Sequence, residues 1–150
     1  MKKFKWRLER VLELKKKQEE MARAELLEMT AMIAAVRNAV IVREIKLRDS
    51  LERFTKFDIG ARTLNHDWMA KSTGFMNEQI SLFRKKLVEY EDIKKQKLAK
   101  VMELRKSRKN LEKLKESALE KYREEFKKYE QNDLDDITSI SRARELIAGH

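Results

Sequence analysis

The sequence predicts an all-α protein, a long antiparallel two-helix coiled-coil hairpin with a C-terminal helical overhang. Three observations carry that prediction. There is no proline, and the three glycines are Gly60, Gly74 and Gly149, so residues 1–59 and 75–148 hold neither strong helix breaker. The composition is 41% charged and rich in Lys, Glu, Leu, Arg, Ala and Met, residues that favour helix when summed over such lengths. Apolar residues also recur in steps of three and four on both sides of one interruption, the signature of a coiled-coil seam. A sheet protein of 150 residues needs many turns, and their Gly, Pro and Asn-Gly signals are missing.

The first arm, about 4–57, places Phe4, Leu8 and Val11 on a stripe that continues through Ala22, Leu26, Met29, Ile33, Val36, Val40, Leu47, Leu51 and Phe54. Lys15, Gln18 and Arg43 or Glu44 fall in the gaps, so the seam is imperfect. The stretch KFDIGARTLNHDW then interrupts the pattern. Asp58 and Gly60 are turn residues, and Thr63 suits an N-cap, which predicts a turn over 58–63 and a second helix from Leu64.

The second arm, about 64–131, resumes with Phe75 or Met76, Ile80, Phe83, Leu87, Tyr90, Leu98, Val101, Leu104, Leu111, Leu114, Ala118, Tyr122, Phe126 and Tyr129. Gly74 softens it by about 1 kcal/mol relative to Ala. At a rise of 1.5 Å per residue an arm of some 54 residues spans roughly 80 Å. Neither helix buries its stripe alone, so each needs the other. Folding about a turn near residue 60 pairs positions whose numbers sum to roughly 120, which sets Phe4 opposite Ser117 or its neighbours.

Beyond about residue 118 the second arm outruns its partner. That overhang still carries Leu119, Tyr122, Phe126, Tyr129, Leu134, Ile137 and Ile140, and an exposed apolar stripe of this length reads as an interface, with a protein partner or with a second copy. In the tail, 132–150, Asp133 or Asp135 suits the cap of a separate terminal helix bearing Ile137, Ile140 and Ile147.

Charge gives a second map. The net charge is +10, and residues 94–115 alone carry ten basic and two acidic groups. Residues 131–150 turn acidic, through Asp133, Asp135, Asp136 and Glu145 against Arg142 and Arg144. A basic shaft with an acidic end suits acidic partners. The absence of cysteine removes disulfides and thiolate metal sites and fits a reducing compartment. No apolar run approaches 18 residues, and Glu9, Arg10 and Glu13 interrupt any signal-peptide core, so the expectation is a soluble, cytoplasmic chain without direct membrane insertion.

No constellation for catalysis, cofactor or metal stands out. The only histidines are His66 and His150, and there is no Gly-rich phosphate loop. The basic run KKQKLAKVMELRKSRKNLEKLKE invites a nucleic-acid reading as a basic DNA-binding rod. Apolar heptads continue on both sides of it, however, so it lies mid-hairpin rather than on a free fork, and no nucleic-acid partner is expected. Trp6 lies off the seam, as a partner anchor or as a cover for the open end of the hairpin. Trp68 is placed to close the turn.

Both ends resemble one family. The opening FKWRLERVLELKKKQEE is similar to the start of the flagellar FliJ family, and the ending LDDITSISRARELIAGH is similar to its acidic-acidic-Ile terminal segment with a Gly-His finish. The resemblance covers the whole chain. It implies an antiparallel coiled-coil hairpin of the bacterial flagellar type III export apparatus, similar to the γ stalk of rotary ATPases and peripheral to the inner membrane at the flagellar base. It implies binding to the export ATPase FliI, promotion of the FliI hexamer and its activity, contact with the export gate protein FlhA, and partnership with FliH and late-substrate chaperones. Carried onto this sequence, Phe4, Trp6, Arg7, Leu8 and Val11 lie at the ring end with Tyr122, Phe126, Tyr129 and Leu134, and Asp135, Asp136 and Ile137 match the tail motif. The gate-facing patch maps onto Leu47, Leu51 and Phe54 with Phe75, Ile80 and Phe83, most of which also fit the seam. The equivalent stalk of a virulence secretion system shares these features, and a generic coiled-coil scaffold is the bland alternative.

Overall fold

A computed structural model describes residues 2–149. Its regular structure is two helices, α1 (Glu9–Thr55) and α2 (Ile59–Ala148), packed against each other as a hairpin. They share two compact units, one built from residues 20–102 and the other from 1–19 with 103–150. His150, half of the Gly-His finish, lies outside the described residues.

The turn is shorter than the sequence suggests. It spans 56–58, and α2 starts at Ile59 rather than near Leu64. Asp58 is the cap: its Oδ1 accepts from the Ala61 amide at 2.7 Å, satisfying one of the donors left open at a helix start. Thr63 is inside the helix, its hydroxyl donating back to the Ile59 carbonyl at 2.9 Å. The Arg62 guanidinium donates to the carbonyls of Phe57 (2.9 Å) and Thr55, which ties the end of α1 to the start of α2. Trp68 does not close this turn; its side chain is 64% exposed.

In the unit of residues 20–102, the buried side chains are Ala22, Met29, Ile33 and Val40 of α1 and Met69, Ile80 and Val101 of α2. The helices run antiparallel. Arg43 donates to Gln79 at 3.4 Å, Arg84 pairs with Glu44, Arg37 with Glu91, and Lys97 with Glu25 at 3.3 Å, so sequence separation grows from 36 to 72 away from the turn. These flanking ion pairs are exposed enough to add little stability each.

In the unit of residues 2–19 and 103–149, the same progression continues. Glu19 meets Arg108, Glu9 meets Lys115 at 2.8 Å, and Phe4 meets Tyr122. Phe4 therefore faces Tyr122, not Ser117. Across both units the bonded pairs sum to 122–128, above the expected 120.

The seam of α1 is more regular than its apolar residues alone suggest. From Leu8 the inward positions are Leu12, Lys15, Glu19, Ala22, Leu26, Met29, Ile33, Val36, Val40, Arg43, Leu47, Ser50 and Phe54, in unbroken alternating steps of four and three, and every one is buried or half-buried. Leu12 (1% exposed), not Val11 (40%), is the inward residue, and half-buried Ser50 displaces Leu51 (40%). The apolar count steps from Leu8 to Val11 and loses the phase because the next seam positions, Lys15 and Glu19, are polar.

Comparable corrections hold on α2. Met76 faces inward while Phe75 is 61% exposed, and half-buried Lys97 and Lys115 take the seam positions expected of Leu98 and Leu114. Lysine serves there because its aliphatic stem lies along the apolar seam while the ammonium reaches Glu25 or Glu9.

Candidate docking surface

The unit of residues 2–19 and 103–149 holds the N-terminal segment and the far end of α2. Residues 2–8 are not helical, contrary to an arm starting at Phe4; the Glu9 amide donates to the Trp6 carbonyl at 3.3 Å where α1 begins. This segment lies along α2. The Tyr122 hydroxyl donates to the Lys2 carbonyl at 2.7 Å, and the Phe4 ring packs against the Tyr122 ring with centroids 5.4 Å apart. Tyr122 in turn stacks on Phe126 at 6.2 Å. Three aromatic rings thus form a ladder that begins under the N-terminal segment and leads onto open α2.

A shallow groove beside the ladder is lined by Lys2, Lys3, Phe4, Lys5, Ala118, Lys121, Tyr122 and Glu125. Trp6 is half-buried and, with Arg7, Arg10 and Glu13, borders a second groove that reaches Lys115. Of the expected ring-end residues, Phe4, Trp6 and Leu8 are half-buried, while Arg7 and Val11 face out.

Past Tyr122, α2 continues without a break to Ala148, and every described side chain from Arg123 onward is exposed. No separate terminal helix forms. Neither Asp133 nor Asp135 caps one; Asp135 instead accepts from Gln131 one turn back at 3.5 Å. The helical repeat of about 100° per residue puts Phe126, Tyr129, Ile137, Ile140 and Ile147 on the side of Tyr122. These five are between 37% and 77% exposed. Asp136 shares that side, Leu134 (59% exposed) lies toward the neighbouring one, and Asp135 points away. The tail motif is therefore split: Asp136 and Ile137 share the side of Tyr122 and Asp135 does not.

The residues mapped to a gate-facing patch lie in the other unit. Ile80 is buried, and Leu47, Phe54 and Phe83 are half-buried, with the Arg43 guanidinium 4.4 Å above the Phe83 ring. Leu51 and Phe75 stand out to solvent.

Two polar residues central to the fold escaped the sequence reading. Glu19 is 3% exposed, and Arg108 donates through Nε and Nη2 to its two carboxylate oxygens while Nη1 holds Glu112 at 3.0 Å. Donating to Glu19, then to Glu112, holds the Arg108 guanidinium above its ordinary pKa, so it stays cationic. The available signal was the heptad phase, which lands on Glu19.

Among the described residues no group of three or more His, Asp or Glu is placed to hold a metal ion, and no helix is long and apolar enough to cross a membrane. No family model, characterised protein or solved structure matches the chain.

Proposed function

We propose that this protein is a non-enzymatic, stalk-like component of the bacterial flagellar type III export apparatus, which docks on the export ATPase and promotes its assembly into an active ring. The observation that supports this best is the apolar face of α2 beyond Tyr122, joined to the Phe4–Tyr122–Phe126 ladder. It is a helix without an intramolecular partner that presents aromatic and isoleucine side chains to solvent. Such a face suits helix-in-groove recognition, in which residues three and four apart anchor the contact. The resemblance of both ends to the FliJ family supplies the partner: the FliI-type ATPase at this face, with the gate protein FlhA, FliH and late-substrate chaperones as further contacts.

The role needs no chemistry from this chain. A ligand that binds an assembled ring better than free subunits shifts assembly by that difference in affinity. Arg7 and the lysines beside Phe4 add long-range attraction toward an acidic surface, which sets the rate of encounter more than its final strength.

Binding tests the proposal directly. The cognate ATPase should co-sediment with the full chain and lose at least tenfold in affinity when Phe126 and Ile137 are both changed to Asp. Retained affinity in that variant, with helicity intact, moves the contact off the open face and overturns the reading.

A further inference from the structure

We infer that the open face of α2 between Glu130 and Ile147 also pairs with the same face of a second copy, antiparallel, as a symmetric dimer. On that face the positions Glu130, Asp133, Ile137, Ile140, Arg144 and Ile147 follow one another in steps of three, four, three, four and three. That spacing reads the same in both directions about a midpoint between Thr138 and Ser139. Two copies laid antiparallel across this point bring Ile137 of each against Ile140 of the other, burying four isoleucines that are 58% and 54% exposed in the single chain. The next positions outward bring Asp133 of each copy against Arg144 of the other, twice by symmetry. A two-fold interface requires one patch to be its own complement, and this one is, in spacing and in the charges of Asp133 and Arg144.

The charges also choose the direction. Parallel pairing sets Asp133 against Asp133 and Arg144 against Arg144, two like-charge contacts in a seam, whereas antiparallel pairing turns both into ion pairs. At the outer ends Glu130 lies beside Ile147, a poor match that keeps the dimer weak. A face held by a second copy is closed to any other partner, so self-pairing and docking exclude each other.

Sedimentation equilibrium on the full chain, with no ATPase present, reads this separately from the proposed function. Wild type should show a monomer–dimer equilibrium with a Kd in the micromolar range, about −8 kcal/mol at 1 μM. Asp133→Arg and Arg144→Asp should each weaken self-association at least tenfold. Their equimolar mixture should recover it, because each heterodimer then carries two Arg–Asp contacts. If either single variant loses helicity, the doubly exchanged D133R/R144D chain, which restores both contacts, should dimerise as wild type does. A wild-type chain that stays monomeric to about 200 μM, or single variants that dimerise unchanged, or a mixture or double variant that fails to recover, overturns the inference.

Discussion

Arg108 of α2 grips both carboxylate oxygens of Glu19 on α1, and Glu19 is the one buried charged side chain among the described residues. A buried ion pair of this kind contributes less through its own attraction than through what happens when it is broken, since a lone buried charge is left behind. It is also a register mark, because sliding either helix by one turn strands Glu19 against apolar side chains. Glu19→Ala should therefore lower the thermal midpoint several times more than Glu44→Ala, whose partner Arg84 is exposed and whose loss costs about 0.5 kcal/mol. Thermal unfolding followed by circular dichroism measures both, and equal shifts would remove the register role.

Leu12 is the most deeply buried residue near the chain start and Val11 is its exposed neighbour. Leu12→Ala should cost about 2–4 kcal/mol in urea unfolding, from lost transfer free energy and the cavity left behind. Val11→Ala should cost under about 1 kcal/mol. The reverse order would mean that the seam runs through Val11 after all.

Gly74 sits inside α2 with an ordinary helical backbone, and a Cβ placed there meets nothing within 4 Å. Gly74→Ala should stabilise the protein by about 0.5–1 kcal/mol, chiefly by restricting the unfolded chain. A destabilised variant would show that this position serves as a bend.

Asp58 caps α2 and Thr63 does not. Asp58→Ala should cost about 1 kcal/mol, and Thr63→Ala should be neutral within about 0.5 kcal/mol. Chemical unfolding of the pair separates the two positions.

Much of this fold is legible in the sequence because a hairpin of long helices announces itself through missing breakers and a repeating apolar step. The overhang is legible for the same reason: Tyr122, Phe126 and Ile137 continue the step after α1 has run out. What was hidden along the seam shares one cause, polar residues doing inward jobs. The apolar spacing puts the gap at Gln18 where the seam position is Glu19, and the phase shifts from Leu12 to Val11. The apolar step lands on Leu98 and Leu114, although half-buried Lys97 and Lys115 occupy the seam. The turn misled differently, since Asp58 and Thr63 are both good caps and only the backbone chooses between them. At the entry, the spacing of Phe4 and Leu8 fits a helix, but the chain before Glu9 lies along α2 without one, held by Tyr122 at the Lys2 carbonyl.

The proposed activation of an ATPase by the open face of α2 is tested most directly by the rate of ATP hydrolysis. A cognate FliI-type ATPase, assayed at a concentration where its subunits are largely free, should be stimulated by the full chain. It should not be stimulated by a chain that ends at Asn132 and so lacks Ile137 and Ile140. Stimulation by neither, with the full chain helical and folded, would contradict the account.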